Sequence, residues 1–210
     1  MGITIRVKYM KGEEVKYVGH LDTMRTFMRC LRTTSIPVEY SKGFNPRIKI
    51  SFALPLGVGV TSDSEYFDLE LEEKMNKDIF LGEMNSVLPQ GFKALAAEYP
   101  EENKSLMSLV KEAIYEIKIE DDVNMDLIKN LFEKAEVCIE KESKDKKTVE
   151  QKNIKENIID FNVEGNICTF HVTAGSVNNL NPNSIIEAIN AHVQRIENYE
   201  VNRKSLILVI

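Results

Sequence analysis

The chain has 210 residues, of which 43% are hydrophobic and 29% charged, with 10 Gly and 6 Pro. This composition excludes collagen-like, disordered and disulfide-scaffold proteins. The net charge of −6 is unevenly distributed: residues 1–50 carry ten basic and four acidic side chains, a local charge of +6, which leaves −12 on the rest. A basic segment on an acidic protein favours a surface that binds a polyanion, although simple solvation of a small domain would also explain it.

Several features favour a cytoplasmic protein. No apolar run approaches the roughly 20 residues of a membrane helix. The first ten residues begin like a strand and lack the apolar core of a secretory signal. The cysteines, Cys30, Cys138 and Cys168, are widely separated and odd in number, which favours reduced thiols. We therefore expect a cytoplasmic protein without a membrane partner.

The first half of the chain alternates between strand and helix patterns. Leu21, Met24, Met28 and Leu31 recur at helical spacing, while the strand segments alternate apolar and polar residues. The predicted elements are strand Ile3–Tyr9, helix Leu21–Thr34, an extended piece Pro37–Tyr40, strand Ile48–Leu54, strand Glu65–Glu72, helix Asp78–Leu88 and strand Phe92–Glu98. This β-α-β-β-α-β order is that of a ferredoxin-like unit.

The second half repeats the order. Its predicted elements are strand Ala113–Glu120, helix Asp126–Ala135, strand Val137–Glu140, a hairpin of Ile158–Val163 and Ile167–Val172, a helix from Pro182 to Arg195 capped by Asn181, and strand Glu200–Ile210. The charged stretch Lys141–Asn157 is typical of a solvated hairpin or mobile loop. The predicted fold is α+β, with tandem ferredoxin-like units and antiparallel sheets. We place a basic domain at 1–99 and an acidic domain at 106–210, joined by a linker at Pro100–Ser105.

Two basic groups in the first half could bind phosphates. Arg25, Arg29 and Arg32 share one helix face, where guanidinium groups can grip phosphates bidentately or simply pair with nearby acids. The loop after Tyr40 places an aromatic residue among cations. In nucleic-acid-binding proteins such a ring stacks on a base, and the cations bind the phosphate backbone. Alternatively, Phe44 folds into the core as a turn anchor. The candidate nucleic-acid or anion-binding residues are Arg25, Arg29, Arg32, Lys42, Phe44, Asn45, Arg47 and Lys49.

His20 stands at the start of the first helix, where it could act as a general acid or base near neutral pH. Tyr40 and Ser41 are its candidate catalytic partners. The alternative is a capping histidine beside Asp22, a carboxylate matched to the helix dipole. We expect His20, the arginine face and the Phe44 loop to line one concave, positively charged surface.

Other familiar sites are missing from the sequence. Pro55–Gly59 lacks the Lys-Ser/Thr of a nucleotide-binding P-loop, and the Gly-x-Ser-x-Gly elbow of hydrolases is absent. The histidines show no metal-ligand spacing to one another or to cysteine. We therefore expect neither a metal nor another cofactor.

Three segments of the first half together resemble a known family. They are Gly19–Asp22 with Met24–Phe27 and Arg32, then Tyr40–Pro46, then Ser51–Phe52 with Pro55–Leu56 and Gly59, followed by Ser64–Tyr66 and Asp68. On these residues the chain resembles the bacterial radical-SAM-linked protein family, an uncharacterised family found alone or joined behind a radical-SAM module. In the second half the resemblance rests mainly on Ala174–Ser176, Asn179 and Pro182, and Asn153 stands where the family pattern has Asp.

The resemblance implies a radical-SAM enzyme as a partner in trans, and gene neighbourhoods of RNA processing and ribosome components. The chain has no three-cysteine cluster to hold an iron–sulfur cluster, so it would be the partner and not the radical generator. We expect an accessory protein that binds RNA during tRNA or rRNA maturation, with no catalysis of its own. Two alternatives are a metal-independent RNA endonuclease of the tandem ferredoxin-like type and a protein–protein adaptor for the radical-SAM enzyme.

Overall fold

A computed structural model describes residues 2–101, 104–142, 149–175 and 178–209. The strands are β1 (Ile3–Lys11), β2 (Ile50–Phe52), β3 (Val60–Leu71), β4 (Phe92–Glu98), β5 (Val110–Ile119), β6 (Cys138–Glu142), β7 (Val149–Asn153), β8 (Ile158–Glu164), β9 (Ile167–Thr173) and β10 (Tyr199–Leu208). The helices are α1 (His20–Leu31), α2 (Lys77–Val87), α3 (Leu106–Leu109), α4 (Met125–Glu133) and α5 (Pro182–His192). The described residues thus form an α+β fold with five helices and a large, mostly antiparallel sheet, which confirms the predicted fold class at this level.

Most predicted elements are confirmed, with shifts at their ends. β4 occupies the predicted residues, and the charged stretch contains the β6–β7 hairpin, although its residues 143–148 lie outside the described part. β3 begins at Val60 instead of Glu65. The inward-facing positions at its start are occupied by the buried residues Ser62 and Ser64. Because serine is polar, these positions do not show the apolar alternation that predicts a strand. Residues 102–103 of the predicted linker also lie outside the described part, and the proposed domain limits stay a prediction.

The chain forms two compact units, residues 1–110 with 203–210, and residues 111–202. In the first unit the strand order is β4-β1-β3, with β2 antiparallel to β3 and the second part of β10 beside β3. Because side chains alternate along a strand, Ile5 and Val7 face the core while Arg6 faces the other side of the sheet.

Phe27 of α1 is at the centre of the first unit's core. Its ring makes edge-to-face contacts with Tyr9, Phe67 and Phe92 at centroid distances of 5.1, 5.4 and 5.2 Å. Such pairs stabilise by about 0.5–1.5 kcal/mol each beyond the area they bury. The helical spacing of Leu21 with Leu31 predicts that both face the core, but for Leu21 this prediction is wrong, since Leu21 is 59% exposed. It lies six residues before Phe27, about 240° around the helix from it.

In the second unit, β5, β9 and β8 are neighbours in antiparallel pairing, and β10 begins beside β5. Phe132 of α4 packs edge-to-face on Phe170 of β9 at 4.7 Å. The predicted cap of α5 is confirmed: Asn181 Oδ1 accepts from Asn183 N at 3.0 Å, and Pro182 occupies the first turn. β6 and β7 form a separate two-stranded sheet.

A buried ionic cluster lies within the first unit, between β1, β3 and β10. Arg203 donates through Nη1 to both carboxylate oxygens of Glu65 at 2.8 and 2.9 Å, and the two residues are 2% and 1% exposed. Ser62 Oγ donates to the same carboxylate. Lys11, 3% exposed, points its ammonium at the carbonyls of Lys16 and Val18. The cluster thus fixes the backbone that leads into α1.

Replacing Arg203 by methionine should lower the free energy of unfolding by about 3–5 kcal/mol, because Glu65 would be left as an unpaired buried charge. Urea denaturation at neutral pH measures this loss. The matched control is Lys204→Met on the next residue, whose ion pair with Asp63 is exposed and should contribute less than about 1 kcal/mol. Equal losses in the two variants would contradict a structural role for the buried pair.

Candidate nucleic-acid interface

A hairpin arm, residues 40–48, leaves the edge of β3. At its base Glu39 N donates to Glu70 O, and Lys49 N donates to Glu39 O. Tyr40 and Ile48 form the last backbone bridge, and beyond it Ser41 N donates to Arg47 O at 2.8 Å. Arg47 N in turn donates to Ser41 Oγ at 3.0 Å. These bonds close the loop, so its tip is held at a defined place on the sheet edge.

The tip of the hairpin arm presents an aromatic ring to solvent. Phe44 is 104% exposed, which excludes the alternative of a core anchor. Gly43 before it has φ of +134°, a conformation that favours glycine, and thereby helps turn the chain at the tip. Lys42, Asn45 and Arg47 are exposed around the ring. The structure therefore places one aromatic face and two cations together on a surface that no described residue covers.

Lys49 differs from the other cations of this segment. Its ammonium donates to Glu39 at the base of the arm, and this bond holds the pKa of the Glu39 carboxyl below its usual range. The charge of Lys49 is thus largely neutralised within the protein. No local sequence pattern predicts this pairing, because Glu39 and Lys49 are ten residues apart and meet only across the hairpin.

The arginine face of α1 is exposed, as predicted. Arg29 and Arg32 are exposed, and Arg32 is the C-terminal cap residue of the helix. Arg25 is 68% exposed and pairs with Asp22 at 2.9 Å, one turn earlier on the same helix. Such an exposed pair is weak, so Arg25 can exchange Asp22 for a phosphate. Convergence of this face with the hairpin arm on one concave surface stays a prediction.

His20 is the first residue of α1 and contacts the core rather than Tyr40 or Ser41. Its ring lies edge-on to Phe52 at 5.6 Å, and burial lowers its pKa. Among the described residues no hydrogen bond joins His20 to either predicted partner. Ser41 Oγ is engaged in closing the hairpin arm, and Tyr40 is 39% exposed at its base. The arrangement supplies a neutral imidazole near neutral pH, without a relay to the other two side chains.

Two segments of the family resemblance meet at the start of α1. Gly59 N donates to Lys16 O at 2.9 Å, and a Cβ at Gly19 would lie 3.8 Å from Val58. Around this contact Tyr17 is 74% and Val58 64% exposed. Sequence analysis missed both residues, because isolated apolar residues in loops carry no periodic signal.

Asn153, the departure from the family pattern, has a structural role in the second unit. Its Oδ1 accepts from Val137 N at 3.1 Å and from Lys155 N at 3.0 Å. Both bonds require only an acceptor oxygen, which Asp would also supply. The substitution therefore leaves this turn intact. Ser176 of the predicted Ala174–Ser176 turn lies outside the described residues.

Among residues 2–101, 104–142, 149–175 and 178–209, no group of three or more His, Cys, Asp or Glu side chains could hold a metal ion. No helix there is both long enough and apolar enough to cross a membrane.

Comparison with known proteins gives a family but no activity. Residues 4–182 match the family described as "Uncharacterized protein conserved in bacteria (DUF2344)". No curated protein matches the chain. Among solved structures, the crystal structure of an unknown protein from Galdieria sulphuraria shares 11% identity over 97% of this chain and 99% of that chain, with a TM-score of 0.29. A score this low carries no information on fold or function.

The partial burial of His20 has a measurable consequence for pH dependence. Its folded pKa should lie below the value of about 6.5 for an exposed imidazole, so the unfolded chain binds the proton more readily. The free energy of unfolding should therefore fall as pH drops below about 6.5, until the folded pKa is passed. Imidazole NMR titration and urea unfolding of wild type and His20→Gln measure both effects. A titration midpoint at or above that of a model peptide would contradict this reading.

Proposed function

The chain belongs to the DUF2344 family of uncharacterised bacterial proteins, and we propose that it binds single-stranded RNA through the hairpin arm and the arginine face of α1. In this proposal the protein is an accessory factor in tRNA or rRNA maturation and performs no reaction of its own. The observation that carries the proposal is the fully exposed ring of Phe44 between the exposed cations Lys42 and Arg47. An aromatic ring with adjacent cations binds bases by stacking and the backbone by charge.

The internal hydrogen bonds of the arm support this reading. Burial of a large apolar ring normally stabilises a protein by about 1.5–3 kcal/mol, and Phe44 contributes none of this to the fold. Backbone bonds between Ser41 and Arg47 keep the tip ordered without help from the ring. A ligand therefore meets a preformed surface and loses little entropy in ordering the loop.

The cations of the hairpin arm segment and of the arginine face of α1 differ in whether they already form ion pairs within the protein. Within the described residues neither Lys42 nor Arg47 forms an ion pair, whereas Lys49 is neutralised by Glu39. On α1, Arg29 and Arg32 are free of ion pairs with described residues, and Arg25 pairs with Asp22. We therefore assign the main phosphate contacts to Lys42, Arg47, Arg29 and Arg32, and smaller ones to Arg25 and Lys49.

The strand orders support the finer proposal of two ferredoxin-like units. The first unit follows β1-α1-β2-β3-α2-β4 with the order β4-β1-β3-β2. In the second, β5-α4-β8-β9-α5-β10 has the order β10-β5-β9-β8, and the β6–β7 hairpin is an insertion after α4. Both are the antiparallel order of the β-α-β-β-α-β unit.

A radical-SAM enzyme acting in trans stays part of the proposal on the strength of the resemblance alone. The acidic part of the chain beyond residue 50, with its net charge of −12, would supply the protein-binding surface. The adaptor alternative assigns the basic surface to a protein as well. Binding of free RNA by the purified protein separates the two, because the adaptor alternative leaves the basic surface to a protein.

Phe44→Ala should weaken binding of a single-stranded RNA of about twelve nucleotides by roughly 5- to 150-fold, the cost of losing about 1–3 kcal/mol of stacking. Fluorescence anisotropy with a 5′-labelled oligonucleotide measures this change. Leu127→Ala is the matched control, since Leu127 is a 51% exposed apolar residue on α4. An equal effect of both variants would remove Phe44 from the interface.

Lys42→Ala with Arg47→Ala should reduce the salt dependence of the same binding. For single strands each phosphate contact contributes about 0.7 to the slope of log affinity against log salt, so the slope should decrease by about 1.4. Lys129→Ala, an exposed lysine on α4, should leave it unchanged. An unaltered slope in the double variant would show that these cations make no phosphate contact.

The same protein and RNA samples distinguish RNA binding from the endonuclease and adaptor alternatives. Gel analysis after long incubation with a chelator should show intact RNA. Cleavage that persists in the chelator and disappears in His20→Ala would establish the endonuclease instead. No binding even at low salt would contradict an RNA-binding function and leave the adaptor.

A further inference from the structure

The first unit contains a cavity of about 380 Å³ beside the N-terminal part of β1. Such a volume falls within the ~300–1,000 Å³ of ligand sites. The segment after β4 forms much of its wall, through Glu98, Tyr99, Pro100 and Glu101. Arg6 of β1 supplies the floor. Leu109, at the end of α3, completes the apolar side, and Lys104 adds a cation.

Arg6 has a donor edge that the fold does not use. Its side chain is 3% exposed, and its Nε and Nη2 donate to the two oxygens of Asp68 at 2.8 and 2.9 Å. A guanidinium has five N–H donors, and no hydrogen bond among the described residues involves Nη1 of Arg6. Asp68 thus holds one side of the guanidinium in place, while Nη1 and the second N–H of Nη2 can donate to a second carboxylate bidentately.

Two carboxylates also line the cavity. Glu98 is the cross-strand neighbour of Arg6, and Glu101 follows it in the wall. Both are exposed, and the charge of Glu98 is one of the causes that raise the pKa of Arg6. Tyr99, Pro100 and Leu109 line the rest of the cavity. Tyr99 is rigidly held, because its hydroxyl donates to Met75 O at 2.9 Å and accepts from Met75 N at 3.0 Å.

We propose that this cavity binds a free α-amino acid with an apolar side chain. The carboxylate lies on the Nη1 edge of Arg6, the ammonium between Glu98 and Glu101, and the side chain against Tyr99, Pro100 and Leu109. An α-amino acid carries its carboxylate and its ammonium on one carbon, and Arg6 and Glu98 offer the two opposite charges on directly paired positions of β1 and β4. No residue of the hairpin arm lines this cavity.

Saturation-transfer NMR with L-leucine, L-methionine and L-phenylalanine tests the proposal on the full chain. At least one should give a signal, and its N-acetyl and carboxamide derivatives, which each lack one charge, should give none. Chemical-shift changes in the ¹⁵N spectrum should map to residues 6, 98, 99, 101 and 109. Glu98→Gln with Glu101→Gln should raise the dissociation constant roughly 10- to 100-fold, while Glu73→Gln, an exposed residue outside the cavity, should not.

Three results would overturn the proposal. They are the absence of any signal with the free amino acids, equal signals with the blocked derivatives, and shift changes confined to other parts of the chain. All three measurements use the unaltered protein, so none of them depends on whether a variant folds.

Discussion

Glu65 and Arg203 form a fully buried ion pair that draws the last strand of the chain into the core of the first unit. Removing two charges from water is costly, and the loss is offset only when geometry and further hydrogen bonds are good. Here the contact is made to both carboxylate oxygens, Ser62 adds a donor, and Arg203 Nη2 reaches Pro55 O at 3.3 Å. The first unit is therefore incomplete without residues that come more than 130 positions later in sequence.

The surroundings of α1 depend on the same cluster. Lys11 fixes the carbonyls of Lys16 and Val18, and Arg203 fixes that of Pro55, so buried cations hold both loops that meet at the start of the helix. Phe27 then anchors α1 on the aromatic core. With the helix and β3 fixed, the arginine face and the hairpin arm stand on rigid supports, which is what a binding surface requires.

Local patterns predicted most of the elements and missed what depends on long-range contact. Alternation in β4 and the Asn181-Pro182 signal of α5 depend on neighbouring residues, and both predictions hold. The exposure of Leu21 depends on where α1 sits on the sheet, and helical spacing alone cannot fix that phase. For the site, the aromatic and basic composition of the 41–49 loop was visible in sequence. The exposure of Phe44, the neutralisation of Lys49 and the unused edge of Arg6 were not, because each depends on contacts across strands.

The central claim is that the hairpin arm contacts RNA directly. Ultraviolet cross-linking to a 4-thiouridine-substituted single-stranded RNA, followed by tryptic digestion and mass spectrometry, locates that contact without altering the protein. The account predicts cross-links in the peptide Gly43–Arg47, which contains Phe44. Cross-links that leave this peptide unmodified and fall only elsewhere in the chain would contradict it.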